Sequence, residues 1–244
     1  MKTRHFLPLA SLIVLFCACG ETNKKEVETT PEKEPIEKHH KKHQERNRHH
    51  SGSANAYMHK KPVEELIKNF ESPERDAYQK PEKVLQYLGN ISDKTIMDIG
   101  AGSGYFSVKL AEKGAKVIAA DVSEEFQEAL KKRIENNKLE NITLRKIPYN
   151  NPSLEPNEVD MVLIVNTYHH IENRSDYFAK VKTGTKSTGE LVLIDFFKSE
   201  TPVGPPLDHK ISIDQVITEL KEAGYSNFDI NVDLLPYQYI IKAK

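Results

Sequence analysis

The sequence predicts an α/β fold, a mostly parallel sheet covered by helices on both faces, and three observations predict it. Between Thr95 and Asp121 the chain reads as a strand, a glycine-rich turn, a helix, and a strand ending in an acid. Beyond that unit, short apolar runs alternate with stretches of helical period. The composition turns globular only from Tyr57 onward.

The chain has 244 residues and a net charge of −1. That length suits one domain with extensions, and the charge gives no global reason to expect nucleic acid. Lys2 and Arg4 precede an apolar run at 6–18 that is short for a bilayer span and has the shape of a secretory h-region. Cys17 and Cys19 close it, and Phe16-Cys17-Ala18-Cys19 resembles a bacterial lipoprotein cleavage site with Cys19 as the lipidated residue. Residues 1–19 are therefore expected to be a lipoprotein-type signal peptide. The protein is expected to be exported and held on a bacterial membrane, periplasmic or outer face, by a lipid on Cys19. The mature chain would then offer neither a disulfide nor a thiol nucleophile.

Residues 20–56 intermix Lys and Glu with Pro31 and Pro35 and hold almost no large apolar side chains. Such a segment cannot bury enough apolar surface to offset its ordering entropy, so it reads as a disordered tether. His39, His40, His43, His49 and His50 could bind a transition metal weakly through neutral imidazoles, or simply form a solvated basic spacer. No metal site is expected in the globular part.

The domain is expected over 57–244, opening with lid helices over 57–92. Val63, Leu66, Ile67 and Phe70 stand at helical spacing, Ser72-Pro73-Glu74-Arg75 opens a turn, and 80–88 is a second amphipathic helix with Pro81 in its first turn. Strands are expected at 95–99, 116–120, 142–146, 159–165, 190–196, 228–232 and 238–242. Helices are expected at 104–113, 124–137, 174–182 and 214–223.

Gly100, Gly102 and Gly104 let the backbone turn sharply off the first strand and approach a ligand, because glycine combines free φ with no Cβ. Asp121 stands about 20 residues further on, where an acid accepts hydrogen bonds from ribose hydroxyls. The dinucleotide fingerprint requires a glycine where Tyr105 stands, so a pyrophosphate would meet a side chain. Asp98 repels phosphate but can accept a bond from an ammonium group. The expected ligand is a nucleoside carrying positive charge.

Asp98-Ile-Gly-Ala-Gly-Ser-Gly104, with Asp121, resembles motif I of the class I S-adenosylmethionine-dependent methyltransferases. The resemblance covers most of 57–244. It implies a Rossmann-like seven-stranded sheet whose last strand is antiparallel, closed by a hairpin around Leu234-Leu235-Pro236-Tyr237. It implies S-adenosyl-L-methionine as cofactor, held by Asp98, Gly100, Gly102, Gly104 and Asp121, with Asn166 accepting a bond from the ammonium group. It also makes Arg75, Tyr78 and Gln79 candidates for a lid, with ordinary surface the alternative.

Methyl transfer is an in-line displacement, so the protein must position a nucleophile and, where needed, remove a proton. The strand at 159–165 runs into Asn166-Thr167-Tyr168-His169-His170, bringing an amide, a phenol and two imidazoles to the expected site. His169 or His170 could act as general base, with at least one of the two structural and which one left open. Tyr168 could bond the substrate or line the sulfonium with its ring. The Asn-Pro-Pro-aromatic signature of amino-methylating nucleic-acid enzymes is not matched, for the prolines are missing. The globular part has no basic stripe interleaved with aromatics, so a small-molecule methyl acceptor is expected and no nucleic acid. Tyr149 is a candidate for stacking on adenine. The rule that ligands sit outside the carboxyl ends of the strands also picks out 195–209, where Asp195, His209 and Lys210, beside the proline-rich loop at 201–210, could face a substrate, with solvent the expected surrounding.

The functional expectation is S-adenosylmethionine-dependent methyl transfer to a small molecule. Its alternative is a membrane-anchored lipoprotein that binds a nucleoside or a metal without turnover, because the cofactor is made in the cytosol and the domain is expected outside it.

Overall fold

A computed structural model describes residues 61–244. The expected signal peptide, the tether with its histidines, Cys19, and residues 57–60 of the expected lid lie outside the described residues.

Three short helices come first: α1 (Val63–Phe70), α2 (Pro73–Gln79) and α3 (Pro81–Leu88). The rest alternates as β1 (Thr95–Ile99), α4 (Tyr105–Glu112), β2 (Lys116–Asp121), α5 (Glu124–Asn137), β3 (Ile142–Lys146), β4 (Val159–Val165), α6 (Arg174–Gly184), β5 (Thr185–Phe196), α7 (Ile213–Glu222), β6 (Phe228–Asn231) and β7 (Gln238–Ala243). The seven strands form one sheet in the order β3-β2-β1-β4-β5-β7-β6. Strands β1 to β5 pair in parallel, and β7 runs antiparallel to both of its neighbours.

A sheet covered on both faces needs strands that are apolar on both sides. In β4, Met161, Val162, Leu163 and Ile164 are all buried to 1 % exposure or less. Alternate residues feed two cores. Met97, Val162, Ile164, Leu191 and Leu193 pack against Phe178 and Val181 of α6 and Val216 and Leu220 of α7. Ile96, Val117, Met161, Leu163 and Val192 pack against Phe106 and Leu110 of α4 and Val84, Leu85 and Leu88 of α3. Full burial of each such side chain stabilises the fold by about 1.5–3 kcal/mol.

Two sequence expectations change. The segment opening at Ser72 is a helix rather than a turn: Ser72 accepts a hydrogen bond from the Arg75 amide at 3.3 Å, and Pro73 takes the first turn. At seven residues α2 holds no full period of apolar residues, so hydrophobic spacing could not reveal it. β5 starts five residues earlier than expected, at Thr185, because the polar stretch Lys186-Ser187-Thr188-Gly189 extends the strand where periodicity carries no signal.

Among the described residues no helix is long and apolar enough to cross a membrane. Nor is any group of three or more His, Cys, Asp or Glu side chains there placed to hold a metal ion.

Candidate active site

The carboxyl ends of β1, β2, β4 and β5 meet at the switch point of the sheet, where β1 and β4 are neighbours and the strand order reverses. The glycine turn leaves β1 there. The amides of Gly100 and Ala101 both donate to the Ala120 carbonyl, at 2.8 and 3.0 Å. Asp121, 6 % exposed at the end of β2, accepts from the Gly102 amide at 2.8 Å on one oxygen and from the Ser123 amide at 2.9 Å on the other. Burial pushes its carboxyl upward, against the pull of those main-chain donors. Each oxygen keeps a lone pair for another donor.

The three glycines divide their work. A Cβ on Gly100 would come within 2.4 Å of the Thr167 side chain, and one on Gly104 within 2.3 Å of Leu130. At those two positions the packing of the protein itself already excludes a side chain. Gly102, at φ +53°, would set a Cβ 3.5 Å from the ring of Phe70 in α1.

Asp98 lies beneath the turn at 3 % exposure and accepts from the Ser107 hydroxyl at 2.7 Å. Burial, joined by the nearby Asp121, raises its carboxyl to about 6 against the opposing effects of Ser107 and Arg75. Between about pH 4 and pH 6 the folded state then holds a proton that the unfolded chain has released. Stability is expected to fall as pH rises through that window, by about 3 kcal/mol. Asp98→Asn should flatten the fall. Urea unfolding at about pH 4 and about pH 7 checks this: the variant gains on the wild type at the higher pH only.

Helices α1 and α2 cover the turn. The Phe70 ring stacks on Phe126 with centroids 5.8 Å apart. Glu71 pairs with Arg133, whose guanidinium also donates to the Ser103 carbonyl at 3.0 Å. The Arg75 guanidinium lies 3.9 Å over the ring of Tyr105, and the Tyr105 hydroxyl donates to Asp76. Tyr78 meets Phe196 and Tyr237 at centroid distances of 6.0 and 6.4 Å.

Gln79 completes a ring of three amides. It donates to Gln238 at 2.9 Å, Gln238 donates to Asn166, and Asn166 donates back to Gln79 at 3.3 Å. This ring joins α2 to the ends of β4 and β7. The Asn166 carboxamide oxygen, expected to meet an ammonium group, accepts from Gln238 on one lone pair and keeps the other. Gln238 carried no sequence signal, being one amide in an apolar strand 159 residues from Gln79.

After β4 the chain enters a single 3-10 turn, Tyr168–His170, which sends neighbouring side chains in different directions. Tyr168 goes into the core at 0 % exposure, its hydroxyl donating to Glu219 at 2.6 Å. Arg174 holds the same carboxylate at 2.6 and 2.8 Å. Burial and the Glu219 carboxylate both raise the Tyr168 phenol. Tyr168 therefore does not join the site: its ring packs on Phe178, 5.0 Å away.

His169 turns toward β5. Its Nδ1 lies 2.9 and 3.1 Å from the two oxygens of Asp195, with side-chain exposures of 4 % for His169 and 1 % for Asp195. Asp195 also accepts from the Phe196 amide at 2.8 Å. The His170 ring stands 4.3 Å from that of His169.

The expectation that Asp195 and Lys210 face solvent is overturned. Lys210 is 1 % exposed and donates to the Ser199 carbonyl at 2.7 Å and the Thr201 hydroxyl at 2.6 Å, stitching the 197–210 loop closed. Asp195 stands at the carboxyl end of an apolar strand next to the switch point, where the sequence placed a residue able to face a substrate. His209 is half-buried in that loop. Tyr149 is 52 % exposed on the surface.

Residues 97–193 match the family model described as a methyltransferase domain. The tRNA U34 carboxymethyltransferase of Actinobacillus succinogenes is 32 % identical over 117 residues, 46 % of this chain and 35 % of the relative. That of Mannheimia succiniciproducens is 28 % identical over 182 residues, 64 % of this chain and 54 % of the relative. The chain thus spans about a third to a half of the curated relatives it matches. Among solved structures, a SAM-dependent methyltransferase from Aquifex aeolicus aligns with a TM-score of 0.69 and 27 % identity, over 75 % of this chain and 98 % of that one. Phosphoethanolamine N-methyltransferase 2 of Haemonchus contortus, in complex with S-adenosyl-L-methionine, shares the fold with a TM-score of 0.56 at 17 % identity, over 63 % of this chain and 38 % of that one.

Proposed function

We propose that this chain, which carries an S-adenosylmethionine-dependent methyltransferase domain, methylates a proton-bearing nucleophile on a small molecule, with His169 as general base. The observation that carries the reading is the buried His169–Asp195 pair at the carboxyl ends of β4 and β5. A carboxylate on Nδ1 fixes the imidazole tautomer and leaves the lone pair on Nε2, the arrangement a base requires.

The residues fit the cofactor. Asp121 retains lone pairs for ribose hydroxyls beside the Gly102 amide. Two polar atoms of the same region, Ser103 Oγ and Arg75 Nε, are shielded from solvent without a partner, and buried polar groups call for one. When bound, S-adenosylmethionine supplies an electrophilic methyl group on a sulfonium. Asp98 and Asp121 supply the negative charge that suits a cationic nucleoside. His169 takes the acceptor's proton, Asp195 steadies the imidazolium that results, and α1 and α2 keep water out.

The names of the curated relatives raise tRNA as an acceptor. Two observations favour a small molecule. The described residues hold 24 Lys and Arg against 29 Asp and Glu, a net charge of −5, the wrong sign for a phosphate backbone. The more similar stretch spans 35 % of its relative, which leaves most of that tRNA enzyme unmatched.

Calorimetric titration with S-adenosylmethionine, followed by tritiated methyl transfer to tRNA and to a panel of phenols, amines and carboxylates, tests the reading. Micromolar binding and labelling of a small molecule are expected. Labelling of tRNA alone would replace the acceptor class. Binding without any transfer would leave a nucleoside-binding module, and no binding would remove the cofactor.

A further inference from the structure

Arg75 brings a cation into the site with no anion to meet it. It is the third residue of α2, and its guanidinium lies 3.9 Å over the ring of Tyr105, the residue that follows the glycine turn, and 5.8 Å from the Phe70 ring. Nη1 donates to the Phe70 carbonyl at 3.1 Å. Nε is closed off from solvent and has no partner.

Every other partly buried arginine pair in the domain is satisfied by an acid: Arg133 by Glu71, Arg145 by Glu158 and Arg174 by Glu219. Arg75 has no carboxylate at ion-pair distance among the described residues, and Asp98 and Glu71 act on it only at longer range. Burial lowers its guanidinium, the direction expected for a cation taken out of water without a counter-ion. A guanidinium has five donors in a planar fork whose natural complement is a carboxylate. Holding it over the turn in this state is costly unless an anion arrives.

We propose that Arg75 recognises the α-carboxylate of the cofactor's amino-acid end, with Asp98 as counter-charge to its ammonium group. The inference rests on S-adenosylmethionine being the ligand of this turn. An acid beneath the turn and an unpaired guanidinium over it match a zwitterion, and α2 thereby becomes part of the binding site rather than a cover alone. The amide ring of Gln79, Asn166 and Gln238 holds α2 in the position from which Arg75 reaches the turn.

The test compares S-adenosylmethionine with decarboxylated S-adenosylmethionine, which keeps the nucleoside, sulfonium and amine and lacks only the carboxylate. Both are titrated calorimetrically into the full chain, the wild type beside Arg75→Met and Arg75→Lys. Arg75→Met keeps an apolar stem over Tyr105, and thermal melts monitor folding.

The wild type is expected to prefer the carboxylated ligand by about 10- to 100-fold, the range of a hydrogen-bonded charge pair. Arg75→Met should erase that preference, losing the same factor for S-adenosylmethionine and staying within about twofold for the decarboxylated form, as expected when one charged partner is removed. Arg75→Lys should recover part of it. A variant that weakens both ligands equally would overturn the proposal, reducing Arg75 to a support for α2. So would a wild type that does not discriminate between them. A wild type that binds neither ligand would instead remove the cofactor reading itself, and this inference with it.

Discussion

His169→Ala is expected to slow methyl transfer by about 100- to 10,000-fold at neutral pH while leaving affinity for S-adenosylmethionine unchanged, the usual contribution of a positioned general base. The expectation follows from geometry. Nδ1 of His169 is held between both oxygens of Asp195 at 2.9 and 3.1 Å, and neither side chain has more than 4 % of its surface in water. In such a site the carboxylate cannot be replaced by solvent. It orients the ring, and it stabilises the imidazolium once a proton has been taken.

Asp195→Asn should therefore cost nearly as much, because an amide that presents its N–H to Nδ1 forces the opposite tautomer and removes the lone pair from Nε2. Tyr168→Phe serves as the contrast. It removes a hydrogen bond to Glu219 inside the core and is expected to lower stability by about 1–3 kcal/mol without changing turnover. Single-turnover transfer of a tritiated methyl group, at saturating acceptor, measures all three. Full activity in His169→Ala would end the assignment and pass the role to His170, whose ring lies 4.3 Å away.

The second large effect is expected at the turn. Asp121→Ala should weaken cofactor binding by more than about 100-fold, because it removes an ionised acceptor for ribose hydroxyls and leaves the Gly102 and Ser123 amides without their bonds. Gly102→Val should abolish binding by another route. A β-branched residue is strained at φ +53°, and its side chain would press on Phe70 in the covering helix. Both variants should remain folded, since neither residue fills a core. Calorimetry with a parallel thermal melt separates lost binding from lost fold. Gly102→Val that binds as well as the wild type would show that the turn does not hold the cofactor.

Much of this architecture was legible from one sequence. Apolar strands of a doubly covered parallel sheet announce themselves by composition, as Met161 to Val165 do, and helix α5 spans the expected 124–137, where the structure adds a Ser123 cap and a left-handed end at Lys138. The turn at Gly100 to Gly104 and the acid at Asp121 were legible because local chain geometry ties them together over about 20 residues.

The short helix α2 was missed, since one N-cap and seven residues carry no period. Tyr168, His169 and His170 stand side by side in the chain, and their types gave no means of telling core from site. One 3-10 turn sends Tyr168 to Glu219 and His169 to Asp195.

The sequence by itself determined the sheet, the glycine turn and its acid, because each depends on backbone conformation and apolar pattern within a few tens of residues. The tertiary structure alone decided the His169–Asp195 pair, the Gln79–Asn166–Gln238 ring and the unpaired charge of Arg75. These depend on which side chains meet across 26 to 159 residues of chain and on how little water is left where they meet. Water is what decides whether a polar side chain is ordinary surface or a functional group, and only packing removes it.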